Sequence, residues 1–155
     1  MLKYTNSDIV FQEIPDEVTL AINVSGCPCR CPGCHSPYLW GDVGVPLTAD
    51  AVDALVARCN DNITCVALMG GDADAAAVNG LLRHLRQSHS ELHTAWYSGR
   101  SLLSPLLDIA NLDYVKLGPY LSHLGALRSR RTNQRMYKVE GGQMRDITSL
   151  FWRER

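Results

Sequence analysis

The chain has 155 residues, of which 46% are hydrophobic and 20% are charged. This composition is that of an ordinary globular domain, and it excludes a disordered, collagen-like or membrane-spanning chain. Fifteen Lys and Arg residues against sixteen Asp and Glu residues leave a net charge of −1. The chain therefore lacks the overall basic charge that nucleic-acid binding usually requires, and we expect a single domain that binds no nucleic acid.

The charge is unevenly distributed along the chain. Residues 1–127 carry seven basic and thirteen acidic side chains, a balance of −6, whereas residues 128–155 carry eight and three, a balance of +5. A local basic segment is usually a solvated surface, and it can also dock an acidic partner. The candidates for such docking are Arg128, Arg130, Arg131, Arg135 and Lys138.

The N-terminal residues contain no apolar run that would serve as a signal peptide. No stretch of the sequence approaches the ~18 apolar residues that are needed to cross a bilayer. We therefore expect a cytoplasmic protein with no membrane attachment. In that reducing compartment, closely spaced thiols are more often metal ligands than disulfides.

The first half of the sequence predicts a strand, a long loop and a helix. Residues 17–25 form a nearly continuous apolar and β-branched run, which is typical of a strand buried on both faces. Residues 26–46 contain four prolines and four glycines, which predict a loop. Apolar residues then recur at helical spacing over 49–59, and Thr48 is a suitable N-cap.

The rest of the sequence continues this alternation. The pattern predicts strands at 63–69, 92–97 and 114–117, helical segments at 73–88 and 101–109, and a last strand or hairpin at 135–139 and 143–147. Strands that alternate with helices indicate βαβ units, and about five units of ~30 residues are fewer than the eight of a closed barrel. The predicted fold class is α/β, with a partial, open (β/α) barrel and a mostly parallel sheet. Functional residues are then expected at the carboxyl ends of the strands.

The predicted loop holds four of the six cysteines. Cys27, Cys31 and Cys34 have the spacing C-x3-C-x2-C, and Cys29 lies inside the first gap. A disulfide-rich loop is disfavoured in a reducing compartment. A structural zinc site would take four ligands from these cysteines and His35, although such sites usually use two ligand pairs separated by a longer loop. An iron–sulfur cluster with three thiolate ligands would leave one iron open to a ligand that is not protein.

The cysteine spacing after the first strand, followed by Gly70, Gly71 and Asp72 after the second, resembles the radical S-adenosylmethionine enzymes. More narrowly, residues 24–27, 31–35, 69–72, 97–100 and 132–135 resemble the activating proteins of anaerobic ribonucleoside-triphosphate reductase. The resemblance covers about residues 8–140. Gly33 precedes the third cysteine, as in those activating proteins, whereas many radical enzymes have an aromatic residue there. Asp72 stands where the wider superfamily usually has Glu.

The resemblance implies one radical S-adenosylmethionine domain over residues 1–155, with a cluster loop at 26–46 and a basic C-terminal segment at 128–155. It implies a [4Fe-4S] cluster bound by Cys27, Cys31 and Cys34, with S-adenosyl-L-methionine on the open iron. No side chain is expected to act as a catalytic acid or base. The residues expected to contact S-adenosyl-L-methionine, each also explicable as an ordinary turn, loop or surface residue, are Gly70, Gly71, Asp72, His35, Tyr38, Ser98, Gly99 and Lys116.

The function that the resemblance implies is that of an activase. One electron from the reduced cluster would cleave S-adenosyl-L-methionine to methionine and a 5′-deoxyadenosyl radical. That radical would generate a glycyl radical on the large catalytic subunit of anaerobic ribonucleotide reductase, with a low-potential donor such as flavodoxin or ferredoxin supplying the electron. Two alternatives remain open. One is a small radical enzyme acting on another glycyl-radical enzyme, a peptide or a metabolite, and the other is a non-catalytic zinc-binding interaction module.

Overall fold

The computed structural model describes residues 2–26 and 41–153. Its strands are β1 Lys3–Val10, β2 Thr19–Val24, β3 Val45–Pro46, β4 Cys65–Met69, β5 His93–Tyr97, β6 Tyr114–Leu117, β7 Arg135–Glu140 and β8 Gln143–Asp146. Two α-helices, α1 (Ala49–Ala57) and α2 (Ala75–Ser88), lie between them in the chain. Over the described part of the chain, the strands form a single sheet in the order β3-β1-β2-β4-β5-β6-β7-β8.

The centre of the sheet is parallel and its flanks are antiparallel. Strands β2, β4, β5 and β6 run in one direction. Strands β1 and β3 on one side, and β7 and β8 on the other, pair antiparallel with their neighbours. The four predicted central strands are confirmed, and the partial barrel stays a prediction. Because the central strands are parallel, they all end at one edge of the sheet, which we call the carboxyl edge.

Both faces of the central strands are buried, as their continuous apolar runs predict. Val66 and Leu68 of β4 face the core that also holds the buried residues of α1 and α2. Cys65 and Ala67 of the same strand face a second core, which is closed by buried residues such as Ile14. The alternation follows from the two-residue period of a strand. The parallel strands are thereby held rigidly from both sides.

Capping side chains determine where the two helices begin. Thr48 Oγ1 accepts a hydrogen bond from the Ala51 N–H at 3.1 Å, which confirms Thr48 as the N-cap of α1. Asp74 caps α2 in the same way, since its Oδ1 accepts from the Ala77 N–H at 3.1 Å. A short 3-10 helix, Asp72–Asp74, precedes α2. In an ordinary strand-to-helix turn, Asp72 could cap α2. Asp74 has that role instead, and the Asp72 side chain makes other contacts.

The predicted helix at 101–109 does not form. The chain makes turns there, followed by a short 3-10 helix at Ile109–Asn111. Pro105 has no N–H to donate, and the Ser104 hydroxyl oxygen accepts instead from the Leu106 N–H at 3.2 Å. Asp108 N–H donates at 2.9 Å to the side chain of Asn79 on α2. These local bonds replace the helical ones, so the leucines do not line one helix face and Leu102 is 82% exposed.

A hairpin and two more strands complete the sheet. The predicted hairpin is confirmed as β7 and β8, which pair around Gly141 and Gly142. Strands β1 and β3 were not predicted from the sequence. Strand β1 pairs along β2, and the short β3, which lies within the predicted loop at 26–46, pairs with β1. Neither helix of the described residues has the length and apolar character that crossing a membrane requires.

Candidate functional site

The turn after β4 lies at the carboxyl edge and is tied to β5. Gly70 and Gly71 have φ angles of +109° and +102°, which side chains rarely adopt. The Gly70 N–H donates to the Tyr97 carbonyl oxygen at 3.0 Å, and the Trp96 indole N–H donates to the Gly70 carbonyl oxygen at 2.7 Å. The Trp96 side chain is fully buried. The sequence had not indicated that this indole fixes the glycine turn.

Asp72 connects the turn after β4 with the turn after β5. Its side chain is buried, its Oδ1 accepts from the Ser98 hydroxyl at 2.5 Å, and its Oδ2 accepts from the Gly99 N–H at 2.8 Å. The structure thus brings together Gly70, Gly71, Asp72, Ser98 and Gly99, which the sequence had placed at two separate strand ends. Since both carboxylate oxygens accept bonds from the β5 turn, Asp72 orients that turn.

Lys116 extends the same group of residues onto β6. The Ser98 N–H donates to the Lys116 carbonyl oxygen at 2.9 Å. The buried Lys116 ammonium donates to the Gly118 carbonyl oxygen at 3.0 Å and lies 5.5 Å from the centre of the Tyr97 ring. Burial raises the pKa of the Tyr97 phenol, whose hydroxyl donates to the Glu13 carbonyl oxygen. Lys116 therefore places its ammonium group at the carboxyl edge, between the turns after β5 and β6.

Asn133 and Gln134 also reach this edge. The Gln134 side-chain amide lies 3.5 Å from the Gly118 carbonyl oxygen, and the Asn133 amide donates to the Pro119 carbonyl oxygen at 3.0 Å. Among the residues that the structure describes, the buried Asn133 Oδ1 has no hydrogen-bond partner. The sequence signal was the segment 132–135, which carried part of the resemblance, but the pattern did not show where that segment lies.

A cleft of about 390 Å³ opens beside this group of residues, within the size range of small-molecule pockets. It is lined by Asp72 and Ala75 at the start of α2, by Trp96 and Ser98, and by Arg100 in the turn after β5. Leu102, Leu103, Ser104 and Pro105 form its outer wall. The segment 101–109, which was predicted to be a helix and forms turns instead, thus supplies one wall of the cleft.

The cysteine loop is anchored at the carboxyl edge. Cys27, Cys31 and Cys34, with Cys29, His35 and Tyr38, lie outside the described residues. The two described residues that flank them are joined, because the Gly26 N–H donates to the Gly41 carbonyl oxygen at 2.8 Å. Gly26 follows directly after β2, and a Cβ on Gly70 would lie 3.1 Å from the Val24 carbonyl oxygen. The loop therefore joins the sheet beside the glycine turn.

The other two cysteines lie in the core. Cys59 is buried just beyond the end of α1, and Cys65 is buried in β4. Burial raises the pKa of both thiols, and the Glu17 carboxylate raises that of Cys65 further. Metal ligation needs the thiolate, which such surroundings disfavour. Both cysteines therefore serve as small buried hydrophobic side chains.

One comparison with known proteins decides the family. The sequence model described as "4Fe-4S single cluster domain" matches residues 17–117, about two thirds of the chain. The chain belongs to the 4Fe-4S single cluster domain family. The match begins just before β2 and ends with β6, so it includes the cysteine loop and the four parallel strands. Membership supports the predicted 4Fe-4S cluster over a disulfide-rich loop or a zinc site. Comparison with the curated proteins and with the solved structures finds no match.

Three of the five predicted docking residues lie close together in the chain, namely Arg128, Arg130 and Arg131. The Arg128 guanidinium donates to the side-chain oxygen of Gln12. The Arg130 guanidinium donates to the Trp152 carbonyl oxygen at 3.2 Å and stacks 5.9 Å from the centre of its ring. Arg131 is exposed. These arginines remain candidates for a partner surface.

The other two predicted docking residues both lie on β7, but on opposite faces of the sheet. Arg135 and Lys138 are three residues apart on β7, so their side chains point to opposite faces of the sheet. Arg135 pairs with Asp146 at 3.7 Å, whereas Lys138 pairs with Glu140 at 3.5 Å and lies over the Tyr114 ring. The five cations therefore do not form one surface.

Proposed function

We propose that the chain is a radical S-adenosylmethionine activase that generates the glycyl radical on anaerobic ribonucleotide reductase. One observation carries the proposal. In a chain of a 4Fe-4S single cluster family, the C-x3-C-x2-C loop begins directly after β2, at the edge where the glycine turn and Asp72 lie. Three thiolates leave one iron of a four-iron cluster without a protein ligand.

The donor set fits both the cluster and its ligand. Cys27, Cys31 and Cys34 supply thiolates, which are the ligands that iron–sulfur clusters prefer. The buried Asn133 Oδ1 has no partner within the described residues, and it would accept a hydrogen bond from the ammonium group of S-adenosyl-L-methionine. Lys116 supplies a buried positive charge for the carboxylate group. The positive φ angles of the glycine turn place Asp72 at the same edge of the sheet.

The chain's own residues position the ligand and exclude water, while the cluster supplies the electron. When bound and reduced, the cluster gives S-adenosyl-L-methionine the electron that releases methionine and a 5′-deoxyadenosyl radical. Asp72 holds the β5 turn in place, and the buried Trp96 holds the glycine turn. That radical would take a hydrogen atom from a glycine Cα of the reductase, which would yield 5′-deoxyadenosine and the glycyl radical.

The resemblance of residues 24–27, 31–35, 69–72, 97–100 and 132–135 supports the choice of partner. A partial barrel would leave a lateral opening through which a loop of the reductase's large subunit could enter. The arginines at 128, 130 and 131 are the candidate docking surface. A flavodoxin or ferredoxin would reduce the cluster.

The test combines cluster content with product analysis. Under anoxic conditions, we expect the reconstituted chain to hold about four irons and to form 5′-deoxyadenosine when given S-adenosyl-L-methionine and a strong reductant. A glycine-centred electron paramagnetic resonance signal should appear only when the reductase is present. Single Cys27→Ala, Cys31→Ala and Cys34→Ala variants should lose the cluster, whereas Cys29→Ala is the matched control that keeps it.

Each contrary result is distinct. A colourless chain that binds zinc through all four loop cysteines would support the interaction module and reject the enzyme. 5′-Deoxyadenosine without a glycyl signal on the reductase would support the radical enzyme with another substrate. Equal loss of iron in all four variants would reject the three-ligand assignment.

A further inference from the structure

Two histidines and an aspartate form a cluster between α1 and the C-terminal end of α2. Asp53 lies on α1, His84 on α2, and His89 is the residue that ends α2. His84 Nε2 is 2.8 Å and His89 Nε2 is 2.7 Å from the same carboxylate oxygen, Asp53 Oδ1. One ligand atom from each residue lies within 4.8 Å of the other two. Three residues from two helices thus converge on one point.

We propose that Asp53, His84 and His89 bind a divalent transition-metal ion, with Zn²⁺ as the ion to test. Two imidazoles and one carboxylate are a donor set that zinc accepts. Three protein ligands leave a fourth position for water. This site is separate from the proposed radical chemistry and does not depend on it.

The distances are close to those of a tetrahedral zinc site. Zinc binds imidazole nitrogen and carboxylate oxygen at about 2.0–2.2 Å, which separates neighbouring ligand atoms by roughly 3.4 Å. The observed separations of 2.7 and 2.8 Å are those of hydrogen bonds. The Asp53 carboxylate must therefore withdraw by roughly half an ångström from each ring to admit the ion. Its side chain is 40% exposed, so it has room to do so.

The ring protons of His84 and His89 can move to leave both Nε2 atoms free to bind a metal ion. A carboxylate only accepts hydrogen bonds, so both Nε2 atoms carry the proton when they donate to Asp53. Metal binding requires the other tautomer of each neutral ring, with the proton on Nδ1 and the Nε2 lone pair on the ion. Ser88 Oγ lies 3.5 Å from His84 Nδ1. The Ser88 hydroxyl oxygen can then accept a hydrogen bond from the His84 Nδ1–H, as the outer partner that ligating histidines usually have.

The cluster is accessible and lies at the end of α2 that is away from the carboxyl edge. The His84 and His89 side chains are 26% and 19% exposed, so an ion can reach them from solvent. They lie nine and fourteen residues beyond the start of α2 at Ala75, which is roughly 14–21 Å along the helix axis. The start of α2 follows Asp72 and lies at the carboxyl edge. A metal at Asp53 would therefore link α1 to the far end of α2.

The test measures zinc uptake by the full chain with its cluster already in place, so that the three ligating thiols are occupied. The chain is dialysed under anoxic conditions against buffered Zn²⁺, and bound zinc is counted by elemental analysis. We expect one more zinc per chain in the wild type than in His89→Asn or Asp53→Asn, and an affinity at least about 100-fold lower in each variant. His123→Asn, an exposed histidine away from the cluster, is the matched control and should bind like the wild type.

A second readout separates a metal site from a hydrogen-bonded brace. Zn²⁺ that binds only the folded chain raises its thermal midpoint, so the midpoint of the wild type should rise with zinc and that of His89→Asn should not. Asn is well tolerated at helix ends, which makes His89→Asn the safer variant if His84→Asn does not fold. Equal zinc uptake in the wild type and His89→Asn would overturn the proposal. A thermal midpoint that differs between the wild type and His89→Asn but does not change when zinc is added would also overturn the proposal.

Discussion

Asp72 acts through the residues that it holds. Its carboxylate is buried, and a buried charge is stable only where hydrogen-bond donors surround it. Ser98 and Gly99 supply two such donors from the turn after β5. Asp72 therefore acts as a positioning residue for the wall of the cleft. This role depends on a carboxylate that accepts at both oxygens.

We expect Asp72→Asn to destabilise the fold. The amide nitrogen cannot accept a hydrogen bond, so the Gly99 N–H would lose its acceptor, or the Ser98 hydroxyl would have to turn and find another acceptor for its proton. Leaving a buried donor unpaired costs about 1–3 kcal/mol. For a chain of this length, that cost corresponds to a fall of roughly 2–10 °C in the thermal midpoint. Thermal unfolding of the cluster-loaded chain, followed by circular dichroism under anoxic conditions, would measure it.

Asp74→Asn is the matched control, because it removes the same charge two residues later. Asp74 caps α2, and Asn is about as good an N-cap as Asp. Its midpoint should stay within the equivalent of about 0.5 kcal/mol of the wild type. If the two variants lost equal stability, the loss would come from the charge, and the bridge through Asp72 would be refuted.

At the scale of single residues, the sequence predicted which strand-end residues meet but not how. Parallel strands were expected to end together, and Asp72, Ser98 and Lys116 do lie at one edge. The Trp96 bond to Gly70 and the position of Asn133 depend on side-chain directions that a pattern does not contain. The same holds for Asp53 and His84, which lie 31 residues apart and meet only because α1 packs beside α2.

The turn between β4 and α2 depends on close packing of two elements. Gly71 has a φ of +102°, and a Cβ there would lie 2.7 Å from Val78 Cγ2 on α2. Val78 is fully buried and cannot move outward. Gly71 thus lets the first turns of α2 pack against β2 and β4. The glycine contributes to the fold whether or not it also touches a ligand.

We expect Gly71→Ala to destabilise the chain by about 2–4 kcal/mol. A positive φ costs a residue with a side chain about 1–3 kcal/mol. Overpacking against Val78 adds a cost of about 1–3 kcal/mol. The two costs overlap, because the same shift of the turn relieves part of each. The thermal midpoint of the cluster-loaded chain, compared with the wild type, would measure the change.

Gly80→Ala is the control for this substitution. Gly80 lies within α2, and nothing lies within 4 Å of the Cβ that alanine would add. Alanine is the better helix former, so this variant should gain about 0.5–1 kcal/mol. A Gly71→Ala chain as stable as the wild type would mean that the turn relaxes freely, contrary to the packing described here.

At the scale of elements, the central strands and both helices could be predicted because their apolar residues recur with a clear period. Strand β1 could not, because its residues are only partly buried and the backbone ladder with β2 holds it in place. The segment 101–109 has the leucines of a helix, yet Ser104 and Asp108 bond to nearby backbone groups and Pro105 interrupts the pattern. The spacing of apolar residues alone does not show that side chains compete with the helix for backbone hydrogen bonds.

The charge of the whole molecule is divided between its two parts, and the fold neutralises some of the basic part. Residues 128–155 carry a balance of +5. Arg135, Lys138 and Arg145 each pair with a carboxylate of β7 or β8. Arg128 and Arg131 are exposed and form no ion pair among the described residues. Any long-range attraction of an acidic partner should therefore depend mainly on the segment that contains these two arginines.

We expect the Arg128→Glu/Arg131→Glu double variant to weaken activation of the reductase under the proposed function. Reversing exposed charges at the rim of an interface mainly slows association and alters its salt dependence. The apparent KM for the reductase should rise roughly tenfold, which corresponds to about 1.4 kcal/mol of lost interaction. Formation of 5′-deoxyadenosine in the absence of the reductase should not change, since neither side chain lines the cleft at the carboxyl edge.

The Arg58→Glu/Arg83→Glu double variant is the matched control, because it reverses two exposed charges that lie outside the basic segment. Both double variants change the net charge by the same amount, so a general effect of charge would weaken activation equally. A local docking surface would weaken it only in the first variant, and added salt would reduce the difference because it screens exposed charges. Equal KM values in the two variants at low salt would show that the basic segment is a solvated surface and that the reductase docks elsewhere.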